Sequence, residues 1–596
     1  MAFLGGVIVL AMLQTAVVKL MYPHSQIRSL ITKRPNKLTR LLQRHIIYPS
    51  TFSHSHVVRP RIFGLSLSIP TRAQSIVIFI YLALTLGLMC SEMTNISFPE
   101  NMYFTQESYA WARYLADRAG TMAVSQLPFI FLFGGRNNIL IPLTGWDYST
   151  FNVYHKCVSR TMVALALVHS FAYISCSLIY GGAAELAEDA SDNYYTWGFV
   201  AMAVSSIMIV QSVYDLRKLA YDVFSVLHIV LAALFLAAMK WHLDPTGWME
   251  WIWASVAIWA FDRFVRLVRL IYFNLALSST ATAQVELLTH DELAILKFKV
   301  RPVRSVAFSP GKYVFLHIGG VAPWSAHPAS VIDQDEDGSY NLAMTVHQGL
   351  TRKLYHRLMK DSADKLATEI SKTATLRVGI DGFYGHTASV NLYDNVLLIA
   401  GGVGITAVIG YVKALALNRR SYTKHVTLVW VVRDYVYLDW FREQLSQMVE
   451  LSTEHISITI QLHVTSVGEL EQKSIDVVHG QSYSGRSSST KSHRPDNGKK
   501  APTVGITAAR PSPNSISNDN EKSSFSARPS LASLPVSYTR PDTAAVISNF
   551  VRDAPASVAV LACGPAAMVD DIRQAVCSNV EPAKARLDYF EEAFGW

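Results

Sequence analysis

"YHKCVSRTMVALALVHS" (Tyr154–Ser170) and "HIVLAALFLAAMKWH" (His228–His242) each place two histidines fourteen residues apart within a mostly apolar run. In the second run, Lys240 is the only other titratable side chain. On a helix, fourteen residues at about 100° each complete nearly four turns, so both histidines share one face, about 21 Å apart along the axis. One metal ion cannot bridge that span. Two helices that each carry such a pair supply two ligands to each of two centres stacked along the axis. Neutral imidazole on both sides of an iron holds haem for electron transfer. Histidine is 19 of 596 residues, so the doubled spacing is improbable by chance. Ionisable groups inside membrane segments are functional by default. His155, His169, His228 and His242 are therefore expected to ligate two b-type haems.

A chain of 596 residues exceeds one core, and its apolar residues crowd into the first 275. Seven segments are expected to cross a membrane, near 2–21, 74–92, 109–134, 155–180, 194–213, 219–242 and 250–272. The loops set orientation. Residues 22–73 hold nine basic side chains from Arg28 to Arg72, Arg217 and Lys218 follow the fifth segment, and Arg263, Arg266 and Arg269 end the seventh. The opposite loops carry Glu92, Glu100, Glu185, Glu188, Asp189, Asp192 and Asp244 and no Lys or Arg. By the positive-inside rule the basic loops are cytoplasmic, the N-terminus is outside, and the long C-terminal part is inside. The first segment lacks a basic n-region, which favours an uncleaved anchor over a signal peptide. The sequon at Asn95 falls in an outside loop, where it is open to glycosylation.

The net charge of +8 resides in these loops and gives no reason to expect nucleic acid. None of the five cysteines has C-x-x-C spacing, so neither a disulfide framework nor a zinc site is expected. With this orientation His155 and His228 lie near the inner face, and His169 and His242 near the outer. Arg118, in "LADRAG" (Leu115–Gly120), lies inside the third segment and needs an anionic partner. A haem propionate is one; the alternative is a water-filled vestibule.

Residues 276–390 alternate in short runs such as "QVELLTHDELAILKFKV" and "KYVFLHI", which predicts a small antiparallel barrel. From 391 the pattern becomes strand, Gly-rich turn, helix: "NVLLIAGGVGITAVIGYVKAL", then "HVTLVWVVRD", then "SVAVLACGPAAMVDDIR". Glycines there let a phosphate approach a helix N-terminus. Three domains follow: a transmembrane haem-binding bundle over 1–275, a β-barrel over 276–390, and an α/β nucleotide-binding domain over 391–596. The last contains a Ser-, Pro- and Asn-rich insert, 470–545, expected to be disordered.

Taken in order, the histidine quartet, "DRAG…QLPFIFLFGGRNNIL" (117–140), "HPAS" (327–330), "GLT" (349–351), "DGFYG" (381–385), "GGVGIT" (401–406), "WVVRD" (430–434), "CGPAAMVDD" (563–571) and "YFEEAFGW" (589–596) resemble fungal plasma-membrane ferric and cupric reductases, relatives of the NADPH oxidases. The resemblance implies a barrel and nucleotide domain of ferredoxin–NADP reductase type. It places FAD against His327, Pro328 and Ser330, with Ala329 departing from the usual motif. It places phosphates at Gly349 and Thr351, and it extends the cofactor surface to Gly382 and Gly385. It assigns the nicotinamide nucleotide to Gly401, Gly402, Gly404 and Thr406, with Cys563, Gly564 and Pro565 at the nicotinamide. Ala407 stands where proline is usual. Arg433 is implied to meet the 2′-phosphate of NADPH, for which a guanidinium is apt; the alternative is a surface ion pair with Asp434. Cys563 reads equally as a small buried residue ending a strand. Phe594 or Trp596 is implied to cover the flavin.

The expected activity is electron transfer from cytoplasmic NADPH through FAD and two haems to extracellular ferric or cupric chelates, supporting iron uptake. Cofactors carry that chemistry, so no side chain is assigned as catalytic acid or base. The alternative is an oxidase that makes superoxide from oxygen. Equal spacing of both histidine pairs favours metal reduction, since oxidases usually shorten one. A non-catalytic scaffold is disfavoured because every motif is present. The sequence identifies no iron-permease or oxidase partner.

Overall fold

The computed structural model describes residues 1–21, 24–52, 54–62, 64–91, 104, 106–276, 280–290, 292–347, 349–363, 372–466 and 534–592. The Asn95 sequon, Phe594, Trp596 and most of the insert lie outside them. The first part is helical: α1 (Ala2–Met21), α2 (His24–Thr32), α3 (Lys37–Leu42), α4 (Arg72–Cys90), α5 (Glu107–Val124), α6 (Leu127–Gly134), α7 (Leu140–Thr144), α8 (Tyr148–Ser191), α9 (Asn193–Gln211), α10 (Tyr214–Leu219), α11 (Tyr221–Leu243) and α12 (Met249–Asn274). Helix α4 starts at a capping box, in which Thr71 and Gln74 each accept the other's backbone N–H. Helix α8 breaks at Gly182, whose φ of 71° a residue with a Cβ seldom adopts.

The expected count of seven spans needs correction. Among the described residues, four helices are long and apolar enough to cross a membrane: Arg72–Cys90, Tyr148–Ser191, Asn193–Gln211 and Tyr221–Thr246. The expected third span is two helices, α5 and α6, interrupted at Ser125–Gln126 ahead of Pro128, which has no N–H to continue a helical ladder. Helix α12 has the length, but Asp262, Arg263, Arg266 and Arg269 occupy its second half. Helix α1 is apolar over Ala2–Val17. Small residues let the helices approach closely, and Ala116, Ala119 and Ala238 are fully buried.

After a short hairpin, β1 (Arg61–Ile62) and β2 (Leu65–Ser66), the strands resume beyond α12. Strands β3 (Thr282–His290), β4 (Leu293–Arg301), β5 (Tyr313–Ile318), β6 (Ala322–Gln334), β7 (Tyr340–Thr345) and β8 (Lys372–Tyr384) close a barrel in the order β3-β4-β7-β6-β5-β8. Strands β9 (Asn395–Gly401), β10 (His425–Val432), β11 (Ser457–Val464), β12 (Val536–Ser537), β13 (Val558–Cys563) and β14 (Leu587–Glu591) form a parallel sheet, ordered β12-β11-β10-β9-β13-β14. Every residue of β9 and β13 is buried, as expected for strands covered on both faces. The insert ends earlier than expected. Val536–Ser537 pairs with Leu462–His463 at the sheet edge, and a helix begins at Thr543.

Four buried carboxylates, Asp381, Asp394, Asp570 and Asp588, join the membrane part to the rest. Asp381 on β8, with no exposed surface, lies 2.8 Å from Arg266 of α12 and accepts a 2.7 Å hydrogen bond from Tyr384. Beside it, Asn274 exchanges two hydrogen bonds with the Ile380 backbone, at 2.8 and 2.7 Å. On the nucleotide domain, Asp588 accepts from Gln43 (2.7 Å), Tyr48 (2.8 Å), Tyr393 and Arg586. Arg28 pairs with Asp394, and Asp570 takes the backbone N–H groups of His56, Val57 and Val58 at 3.1, 2.9 and 2.9 Å. The basic segment before α4 thus straps the nucleotide domain.

Removing one member of a buried ion pair leaves an uncompensated charge, which costs about 3–5 kcal/mol. The R266M variant is expected to destabilise the barrel by about that amount in chemical unfolding, and the R266M/D381N double variant by clearly less. Equal loss in the two variants would show that the pair does not couple α12 to the barrel.

Candidate cofactor sites and the comparison with known proteins

Each histidine of the quartet is positioned by a neighbouring helix. His169 on α8 donates its Nδ1 proton to the Ala116 carbonyl of α5 at 2.8 Å, and His155 does the same to Ile130 of α6 at 2.9 Å. His242 on α11 donates to Tyr194 of α9 at 2.8 Å. The Nδ1 of His228 lies 3.4 Å from the Gln211 side chain. A carbonyl accepts only from a protonated Nδ1, so in three of the four the lone pair stays on Nε2, the tautomer a metal ligand needs. Glycines make room for the rings. A Cβ at Gly120 would stand 2.5 Å from the His169 ring, one at Gly198 2.9 Å from His242, and one at Gly134 3.1 Å from His155.

These pairs face two cavities. His169 and His242 line one of about 470 Å³, with ring centres 6.2 Å apart. That separation leaves the width of one metal ion with two imidazole bonds of about 2 Å. His155 and His228 line the other, of about 360 Å³. Met162 and Phe235 line both, and each is seven residues from either histidine of its own helix. No group of three or more His, Cys, Asp or Glu side chains suited to a metal ion occurs among the described residues. The tautomers, the glycine cradle and the ring separation all fit haem.

The two cavities differ in charge. The one nearer the barrel, lined by His155 and His228 and called inner for that reason, has Arg59, Arg136, Lys156, Arg160, Arg217, Arg263 and Arg266 in its wall against a single carboxylate, Asp262. Asp262 is buried and accepts from the Asn137 backbone at 2.9 Å, holding the "GGRNN" loop against α12. The outer cavity has one cation, Arg113, which donates to Asp117 at 3.1 Å. Arg118 does not reach that cavity. Its guanidinium donates to the Leu88 carbonyl at 2.9 Å and to Ser91, just past the end of α4, whereas Arg113, five residues earlier on the same helix, does line the cavity. The side chains point apart because Arg113 and Arg118 are five residues, about 140° in net rotation, apart on one helix.

In the barrel, "HPAS" runs along β6, with His327 opposite Leu316 and Ser330 opposite Tyr313. The His327 Nε2 is buried without a hydrogen-bond partner among the described residues. Burial holds this imidazole below the ordinary histidine range, against the pull of Asp222 at the start of α11. A Cβ on Gly349, which has a φ of 82°, would lie 3.9 Å from His327 and 4.0 Å from Asp222. The flavin motif and the "GLT" loop therefore meet beneath the helix that carries His228. Thr351 is buried, and its hydroxyl closes its own loop on the His347 backbone at 2.9 and 3.2 Å. Pro328 pairs with Phe315, over whose ring Arg136 lies at 3.8 Å. Glycine is required at 382 and 385 by close packing: a Cβ at Gly382 would press on Val314 and Tyr313, and one at Gly385 on the Gly311 carbonyl.

In the nucleotide domain the motifs converge at the C-terminal ends of β9, β10 and β13, where strand order reverses and ligands of such sheets bind. A Cβ at Gly401 would strike Pro565, one at Gly404 the Cys563 carbonyl, and one at Gly564 the Gly401 backbone. The two loops are thus in mutual contact. Gly402 has a φ of 54° and open space beside it. Its carbonyl accepts from Trp430 at 2.9 Å, and Thr406 donates to Val403 at 2.9 Å. Arg433 is exposed at the end of β10 and makes no ion pair among the described residues; the Asp434 carboxylate accepts the Val436 N–H instead. Cys563 is buried, which raises its thiol well above the usual range.

Sequence reading missed the group beside it. Glu592 accepts from Tyr411 at 2.6 Å, and burial pushes its carboxyl up to about 8. Lys312 and Asp147 act on the same carboxyl, one from the barrel and one from the start of α8. The only sequence signal was the doubled glutamate of "YFEEAFGW".

Residues 119–239 match the family described as ferric reductase like transmembrane component, residues 278–388 the FAD-binding domain family, and residues 393–577 the ferric reductase NAD binding domain family. Ferric reductase transmembrane component 3 of Saccharomyces cerevisiae is 30% identical over 566 residues, covering 94% of this chain and 72% of the relative. A probable ferric reductase transmembrane component of Candida albicans is 26% identical over 604 residues, covering 100% and 81%. Ferric/cupric reductase transmembrane component 2 of S. cerevisiae is 29% identical over 539 residues, covering 89% and 68%. By this identity and coverage, and by the three family matches along the chain, the protein belongs to the family of ferric reductase transmembrane components.

Proposed function

We propose that this protein is an NADPH-dependent reductase that carries electrons across a membrane to ferric or cupric chelates. The observation that carries this reading is the stack of two histidine-paired cavities, with the "HPAS" and "GLT" motifs directly under the inner one. When bound, FAD accepts a hydride and haem accepts single electrons, and that chemistry belongs to the cofactors. The protein supplies position and field. Gly401, Gly402 and Gly404 bring backbone close to the nucleotide, and Cys563 to Pro565 close the same loop from the next strand. Arg433 supports a preference for a nucleotide with a 2′-phosphate. Seven cations around the inner cavity favour propionates on that side. Met162 and Phe235 exclude water between the two centres.

The plasma membrane, with the nucleotide domain cytoplasmic, is the proposed setting. On the opposite side, the chain after Gly182 carries Glu185, Glu188, Asp189 and Asp192, with Asp189 accepting from Ser177 at 2.6 Å. These carboxylates adjoin Tyr194 and Tyr195, which line the outer cavity. An acidic rim of this kind concentrates cations and is screened by salt.

Purified protein given NADPH is expected to reduce cupric ion and weakly charged ferric chelates faster than it forms superoxide from oxygen. Metal reduction abolished by superoxide dismutase would replace this reading with an oxidase. The H155A and H228A variants should each lose the inner haem, halving the reduced-minus-oxidised haem signal, while NADPH still bleaches the flavin. Full electron flow across a vesicle membrane in either variant would remove that pair from the path. The R433A variant should raise KM for NADPH about tenfold or more and leave that for NADH nearly unchanged, reflecting loss of a charged hydrogen bond worth about 1.5–3 kcal/mol. Equal effects on both nucleotides would exclude Arg433 from the 2′-phosphate.

A further inference from the structure

A third cavity, of about 320 Å³, lies where the basic strap crosses the nucleotide domain, and of the histidine, flavin and nucleotide motifs only Asp570, near the end of "CGPAAMVDD", lines it. Its walls bring together Arg44, His45 and His54 of the strap, Arg72 at the first turn of α4, and Arg573 of the helix Ala566–Asn579. Asp570 is the one carboxylate among its described lining residues, and its oxygens already take three backbone N–H groups. Three arginines and two histidines therefore share a small space with one carboxylate in its wall, while Glu581 and Glu591 pair with Arg44 and Arg573 from outside it.

The arginines are held in place. Arg573 is only 8% exposed; it donates to the Tyr48 carbonyl at 2.9 Å and pairs with Glu591, yet its Nε is buried without a hydrogen-bond partner. Arg72 donates to the carbonyls of Ser50 and His45 at 3.2 and 3.1 Å, which fixes its guanidinium at the cavity wall. Arg44 pairs with Glu581, but both side chains are about two-fifths exposed, and such a pair contributes little. A phosphate accepts bidentate, charge-assisted bonds from guanidinium groups and would displace that contact readily.

Position selects the occupant. Arg72 opens a helix that crosses the membrane, so the cavity stands at the level where that helix leaves the bilayer. With the orientation proposed above, on which this inference rests, that is the leaflet rich in anionic lipid. We propose that the cavity binds a phosphate-bearing anion, and that its occupant is the phosphorylated headgroup of a membrane lipid. Binding there would tie the strap and the nucleotide domain to the membrane surface.

The test uses the full chain in nanodiscs of phosphatidylcholine, with and without phosphatidylinositol 4-phosphate, read by hydrogen exchange of segments 43–58 and 570–578. Protection by the lipid, and none from inorganic phosphate or soluble inositol phosphate added to plain discs, is the expected result. Equal protection by the soluble phosphates would overturn the lipid occupant, and no protection by any of them would overturn the site. The R44Q/H54Q variant should weaken the lipid effect about tenfold, on the strength of one charged hydrogen bond lost. Its flavin content and haem spectrum should be unchanged, since neither residue lines those sites. Should that variant fold poorly, R44K is expected to retain most of the lipid effect, and its complete loss in R44K would count against a general anion site. The readout is independent of reductase activity, so failure here and failure of the reductase reading are separable.

Discussion

The membrane part is organised by hydrogen bonds from imidazole Nδ1 to backbone carbonyls. His155 and His169 reach Ile130 and Ala116, and His242 reaches Tyr194. Each bond fixes a tautomer, a ring orientation and the register of two antiparallel helices at once. A helical carbonyl that accepts such a bond must be approached closely, and the glycines at 120, 134 and 198 permit it. The same contacts that hold α5 against α8 and α9 against α11 therefore leave the other ring nitrogens free at the two cavities.

The second requirement is a rigid distance between the soluble domains and the inner cavity. Asp381, with no exposed surface, binds the end of α12 to the barrel. The His327 and Gly349 motifs lie next to Asp222, six residues before His228 on the same helix. On the far side, Asp588 and Asp570 hold the strap that precedes α4. The nucleotide sheet is thus tied to the membrane part through the strap, and the barrel through α12. Buried carboxylates with several donors suit this because losing any one donor leaves an expensive buried charge.

Much of this was legible in the residues. The doubled fourteen-residue spacing depends only on helical periodicity, so the pairing of the four histidines at two cavities could be read without coordinates. The glycine-rich turns after apolar strands marked the nucleotide loops for the same local reason, and the sheet places Gly401 and Cys563 together as their positions at strand ends imply. Alternation in 276–390 announced the barrel, although its closing order did not follow from it.

What required tertiary structure was every feature that depends on which side chain meets which distant partner. Arg113 and Arg118 are equally plausible cavity cations as letters, and only helix rotation assigns one inward and sends the other to Ser91. The basic strap read as a topology signal, while its docking on Asp394, Asp570 and Asp588 joins residues hundreds of positions apart. The Tyr411–Glu592 contact and the Asp262 anchor have no local pattern at all. Periodicity along a chain is determined by local backbone geometry, so the sequence by itself determined the histidine pairs, the glycine loops and the strand-rich domain. Rotation of helices, the breaks within apolar segments and the partners of buried charges are settled by packing between distant elements, and these only the tertiary structure decided.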